Sequence, residues 1–106
     1  MPDGCTTNGV VVGVADMAIG GQAERQLVTY ALGSCIGLSA WDPVTRIGGL
    51  LHFMLPQPGE QTDPTQLKPF MYASTGIPLL LRRLNERGAQ QSRLIVCAAG
   101  GAEILE

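Results

Sequence analysis

The sequence predicts an α+β fold from three observations. Short apolar runs divided by Gly and Asp-Pro turns fill the first half, one long helical stretch comes late, and a last apolar run follows it. The 106 residues are enough for one domain, taken as 1–106, with no internal repeat. A chain of this size buries somewhat over ~60% of its unfolded surface, so a core forms without staples.

"GVVVGVA" (9–15) is β-branched and apolar, and reads as a buried strand. Residues 16–26 are mixed and contain Gly20-Gly21, so they read as a connection. "LVTYAL" (27–32) is a second strand ending at Gly33-Ser34. "IGLSAW" (36–41) is a third, with Ile36, Leu38 and Ala40 on one face and Gly37, Ser39 and Trp41 on the other. "DPVT" (42–45) suits a type I turn. "IGGLLHFML" (47–55) is apolar at nearly every position, which predicts a strand buried on both faces.

Residues 56–69 hold four of the seven prolines and form the one clear long loop. It begins directly after the histidine-bearing strand, so it either borders the site or is plain surface. "FMYASTGIPLLLRRLNERG" (70–88) reads as a helix with Leu80, Leu81 and Leu84 inward and Gly88 as its stop. Pro78 must fall in its first turn or kink it. Arg82, Arg83 and Arg87 sit near the helix end, where cations complement the dipole, and read as a solvated face. "RLIVCAA" (93–99) is a fifth strand, followed by Gly100-Gly101.

Seven Lys plus Arg against nine Asp plus Glu leave a net charge of −2, which offers no electrostatic footprint for nucleic acid or for an anionic membrane surface. Hydrophobic content of 45% with 15% charged residues is that of a globular chain. No secretory signal and no apolar stretch of spanning length is present, and the three widely spaced cysteines form no CxxC, so a cytoplasmic protein with reduced thiols is expected.

The chemistry rests on Cys35 and the single histidine, His52. Each alone is commonly a packing residue. Cys97, inside an apolar strand, fits that description well, and Cys5 lies in the amino-terminal tail. Cys35 fits it less well, because it follows Gly-Ser and shares a face with the small residues Gly37 and Ser39. A hairpin with Asp42 opposite Thr45 sets Cys35 directly across from His52; one with Asp42 opposite Ile47 makes the two diagonal neighbours. Pro43 disfavours the tightest turns without choosing between these registers.

A thiol is a weak nucleophile until a base takes its proton, and an adjacent imidazole does that and later protonates the leaving group. A third group must orient the ring. Thr29 is the nearest polar candidate, since no Asp or Asn is expected in the strands flanking the pair. The backbone N–H groups of the Gly33-Ser34-Cys35 turn are candidates for an oxyanion hole. One histidine and scattered cysteines do not make a structural zinc site.

Those residues carry a family likeness. "LVTYALGSCIGLSAWDP" followed by "IGGLLHFMLP" resembles the chemoreceptor glutamine deamidases of the CheD family, and the likeness runs from "VVVGVADMA" through "MYASTGIPLLLRRLNERGAQQSRL" to "GGAEIL". The resemblance implies packed, sandwich-like β-sheets with flanking helices, an architecture shared with the cytotoxic necrotising factor toxins. It implies a cysteine hydrolase in which Cys35 attacks the carboxamide of a receptor glutamine, ammonia leaves, and water hydrolyses the thioester to glutamate. His52 is then the general base and acid, and Thr29 the residue positioning it, with no cofactor or metal. The implied partners are methyl-accepting chemotaxis receptors as substrate and, in some organisms, the CheC phosphatase. Family members continue past the "GGA" segment with further strands and a helix, so the alternative to an enzyme is a non-catalytic, truncated module that binds CheC or receptors.

Overall fold

The computed structural model describes residues 9–21, 26–30 and 32–102. The amino-terminal tail with Cys5, the stretch 22–25 and the end of the "GGAEIL" segment lie outside the described residues. Within them the fold is α+β, with a four-stranded antiparallel sheet, a two-stranded parallel sheet and one α-helix. The strands are β1 (Gly9–Val12), β2 (Asp16–Gly20), β3 (Gln26–Thr29), β4 (Ile36–Asp42), β5 (Ile47–Phe53) and β6 (Ile95–Gly100), and the helix is α1 (Ala73–Glu86). The large sheet has the order β2-β5-β4-β6, and β1 pairs with β3. The expected flanking helices reduce to α1 and three short 3₁₀ turns among the described residues.

One expected element is wrong. Residues 16–20 are not a connection but β2, which pairs antiparallel with β5 along its whole length. "DMAIG" lacks the β-branched run that marks β1, and its strand state is imposed by ladder pairing rather than propensity.

The sheet keeps two chemically distinct faces. Ile36, Leu38 and Ala40 of β4 lie across from Phe53, Leu51 and Gly49 of β5. Helix α1 packs on that face, and Ala40, Leu51, Phe53, Leu80, Leu84 and Ala89 form the core. Gly76, Leu80 and Leu84 make the buried stripe of the helix at a four-residue spacing. Gly49 lets Leu80 reach the sheet, since a Cβ there would come within 2.7 Å of Leu80 Cδ1. Pro78 falls inside the helix rather than in its first turn, and is exposed. It removes the amide that would bond Ser74, on the side where water can replace it.

The β4–β5 hairpin takes the longer of the two registers, with Asp42 opposite Ile47. Asp42 Oδ1 accepts from the Val44 N–H at 2.9 Å, and Arg46, at φ 61°, closes the loop by donating its N–H to the Asp42 carbonyl at 2.8 Å. The loop of residues 56–69 holds one 3₁₀ turn (Pro64–Gln66), runs into a second (Pro69–Met71), and is pinned at its base, where Leu55 bridges to Tyr72 and the Ala73 N–H donates to the Leu55 carbonyl at 2.9 Å. No helix of the described residues is long and apolar enough to cross a membrane.

Candidate active site

The second sheet face carries His52. Its cross-strand neighbours are Gly37 on β4 and Asp16 on β2. The small β1–β3 sheet meets this face through Thr29, whose methyl lies 3.4 Å from where a Cβ on Gly37 would stand. A larger residue at 37 would crowd both Thr29 and Leu32.

His52 is fully buried, and its Nδ1 lies 2.8 Å from Thr29 Oγ1. The same hydroxyl donates to the Val12 carbonyl at 2.7 Å, across the Val12–Thr29 pair of the parallel ladder. Thr29 has one hydroxyl proton, and a carbonyl can only accept. The proton therefore goes to Val12, and Oγ1 accepts from the ring. That fixes the neutral imidazole as the Nδ1–H tautomer, with the lone pair on Nε2. Nε2 is buried and has no hydrogen-bond partner among the described residues.

Cys35 is a free thiol, half-buried, one residue before β4. Two residues beyond it Gly37 faces His52, so Cys35 and His52 are diagonal in register, a relation that spans ~7–8 Å in a regular ladder. The resting thiol is not hydrogen-bonded to the ring, since Nε2 is unpartnered. Catalytic hydrogen bonds commonly tighten only when substrate binds.

The turn before Cys35 is closed by its own N–H, which donates to the Leu32 carbonyl at 2.6 Å, with Gly33 at φ 49°. The Cys35 amide is engaged within the turn and is not free, whereas the N–H groups of Gly33 and Ser34 make no backbone hydrogen bond among the described residues. Both residues are exposed.

Sequence reasoning missed Asp16. Once residues 16–20 are a strand, an acidic residue does flank the pair, directly across from His52. Its carboxylate turns to its own chain, with Oδ1 accepting from the Met17 N–H at 2.8 Å, and among the described residues only Thr29 bonds the ring. Ala15 adds a backbone tie, its N–H donating to the His52 carbonyl at 2.9 Å. A cavity of about 200 Å³ further along the same face, lined by Leu27, Ser39, Trp41 and Leu50 among others, includes neither Cys35 nor His52, and we place no chemistry there.

The family model described as "CheD chemotactic sensory transduction" matches residues 54–106. The chain belongs to the CheD family. That match begins just after His52, but similarity to individual relatives extends across the three candidate residues as well. A protein of Solibacter usitatus named "Probable chemoreceptor glutamine deamidase CheD" is 50% identical over 99 residues, 92% of this chain and 57% of the relative. A CheD of Syntrophus aciditrophicus carrying the same description is 45% identical over 97 residues, again 92% of this chain and 61% of the relative. One from Anaeromyxobacter dehalogenans is 48% identical over 92 residues, 87% of this chain and 58% of the relative. The chain thus spans about three-fifths of the length of the curated relatives it matches.

Proposed function

We propose that this CheD chain takes part in protein-glutamine deamidation of methyl-accepting chemotaxis receptors in the cytoplasm. Cys35 Sγ gives its proton to His52 Nε2 and attacks the glutamine carboxamide. The tetrahedral oxyanion is held by the amides of Gly33 and Ser34. His52 returns the proton to the leaving nitrogen as ammonia departs. Water, deprotonated by the same nitrogen, then attacks the thioester carbonyl; the C–S bond breaks, glutamate is released, and the Cys35 thiolate takes the proton back from His52. Thr29 positions the ring throughout. No metal or cofactor is required, because every proton moves through one imidazole.

The observation that carries this reading is the direction of the Thr29 hydroxyl. Its bond to the Val12 carbonyl reserves the ring proton for Nδ1 and leaves a bare nitrogen buried on the face shared with Cys35. Buried polar side-chain atoms are in the large majority hydrogen-bonded, so an unpartnered buried nitrogen calls for a reason, and a base awaiting a proton supplies one. The test is incubation of a receptor fragment with the protein, read by mass spectrometry for glutamine-to-glutamate conversion. Conversion that disappears in Cys35→Ala is expected; no conversion by the intact protein, or full conversion by the variant, overturns the reading.

A second reading, a binding module for receptors or for a CheC-type phosphatase, draws on the absence of a resting bond between His52 Nε2 and the thiol. It predicts that Cys35→Ala leaves binding unchanged and that Cys35 alkylates no faster than a free thiol compound.

A further inference from the structure

The geometry points to a strap that positions the nucleophile, made by Gly100, Gly101 and Ala102 at the end of β6. This inference rests on the deamidase reading and adds positioning residues to it. Strand β6 runs antiparallel to β4 as far as the Ile36–Gly100 pair, immediately beside Cys35. The chain then turns across the nucleophile. The Gly101 N–H donates to the Cys35 carbonyl at 2.8 Å, and the Ala102 N–H donates to the Gly33 carbonyl at 3.0 Å. With the internal bond from the Cys35 N–H to the Leu32 carbonyl, three amides fix the turn, two of them from outside it.

Gly100 is the steric key. It holds φ 97°, and a Cβ there would overlap the Cys35 carbonyl oxygen and come within 3.1 Å of Leu32 Cβ. Neither is the far end of a flexible side chain, so any larger residue forces the backbones of residue 100 and Cys35 apart. The strap therefore reaches the reaction through the position of Sγ relative to His52 Nε2, and it leaves the amides of Gly33 and Ser34 without a backbone hydrogen bond among the described residues. A misplacement of about 1 Å in such a pair costs on the order of 10²-fold in rate.

Gly88 supplies a matched control. It has φ 108°, but a Cβ there meets nothing within 4 Å, so Gly88→Ala carries similar backbone strain with no contact at the nucleophile. The experiment compares Gly100→Ala, Gly88→Ala and wild type in two assays. One is iodoacetamide labelling of Cys35 relative to exposed Cys97 at neutral pH, by peptide mass spectrometry. The other is turnover of a receptor fragment. Simple loosening of the fold exposes half-buried Cys35 and raises its labelling relative to already exposed Cys97, whereas loss of thiol activation lowers it.

In Gly100→Ala the Cys35-to-Cys97 labelling ratio is expected to fall about tenfold, and kcat about 10²-fold with KM nearly constant. Gly88→Ala should leave both at wild type. A folded Gly100→Ala with wild-type labelling ratio and kcat overturns the proposal, as does an equal change in Gly88→Ala. If Gly100→Ala does not fold, Ala102→Pro decides, because it deletes the amide bonded to Gly33 and tightens the backbone of the strap itself. A smaller fall in the labelling ratio is expected there, and an unchanged ratio overturns the strap. Labelling needs no substrate, so absent turnover in wild type would sink the deamidase reading and still leave the strap tested.

Discussion

The two buried polar side chains among the described residues sit on the same β4–β5 hairpin and are treated in opposite ways. Asp42 and His52 are both fully inaccessible to water. Asp42, at the turn end, uses both carboxylate oxygens. Oδ1 accepts from Val44 N–H at 2.9 Å and Arg93 Nε at 3.0 Å, and Oδ2 accepts from Gln90 N–H at 2.9 Å and Arg93 Nη2 at 2.7 Å. His52, at the other end, has one nitrogen held and one without a partner among the described residues. A buried charge with every lone pair occupied is a structural tie, here between the hairpin and the segment leading into β6. A buried base with an empty lone pair costs free energy, and such a cost points to chemistry.

The contrast predicts that substitutions at the two sites separate stability from activity. His52→Asn should lower receptor deamidation by at least ~10³-fold, the range expected for loss of a general acid–base, while the melting temperature moves little. Asp42→Asn should do the reverse. Its melting temperature should drop on the order of 10 °C, since Arg93 loses its buried partner, while turnover stays within about twofold at a temperature where the variant is folded. Thermal melts and turnover on the same samples check this. A large melting shift in His52→Asn with none in Asp42→Asn would erase the distinction.

A second comparison lies around the ring itself. Thr29 contacts Nδ1, and Asp16 faces the same residue from β2 without bonding it. Thr29→Val keeps the shape but leaves both the Val12 carbonyl and Nδ1 unpaired, and should cost about 10²-fold in kcat with KM little changed. Thr29→Ser keeps the hydroxyl and should remain within about tenfold. Asp16→Asn should remain within about threefold, as for a charge without a direct hydrogen bond to the ring. Steady-state kinetics on the receptor fragment rank the three. An Asp16→Asn loss equal to that of Thr29→Val would transfer the orienting role to the acid.

The parts of this site that were legible in the sequence are those set by local pattern. The alternation in "IGLSAW" sorted β4 into its two faces, and the apolar run around His52 announced a strand buried on both sides. What was not legible depends on partners far along the chain. Strand β2 exists because β5 pairs with it, and its own five residues carry too weak an alternation to declare it. The hairpin register turned on Arg46 accepting a left-handed conformation, which no glycine marks, and on the Asp42 side chain bonding Val44. The parallel pairing of β1 with β3, which brings the Val12 carbonyl to Thr29, joins segments that no turn motif links. The Gly100-Gly101 pair was visible as punctuation, but its reason, the Cys35 carbonyl lying against it, belongs to tertiary structure alone.

The Asp42 tie also makes the comparison sensitive to acid. The Arg93 guanidinium holds the Asp42 carboxyl well below the usual carboxylate range; burial opposes this, and the amides of Gln90 and Val44 reinforce it. The sign follows from which state binds the proton more tightly. The unfolded chain takes up the proton near the ordinary value of ~3.9, while the folded protein resists it. The carboxylate therefore contributes stability that is fully present above about pH 5 and is progressively lost as pH falls toward the folded value. Urea unfolding at about pH 7 and about pH 3 isolates this contribution when wild type is compared with Asp42→Asn. The wild type should lose more stability across that interval than the variant, which has no charge at this position to neutralise. Parallel losses would mean that the hydrogen bonds around residue 42, rather than its charge, make the tie.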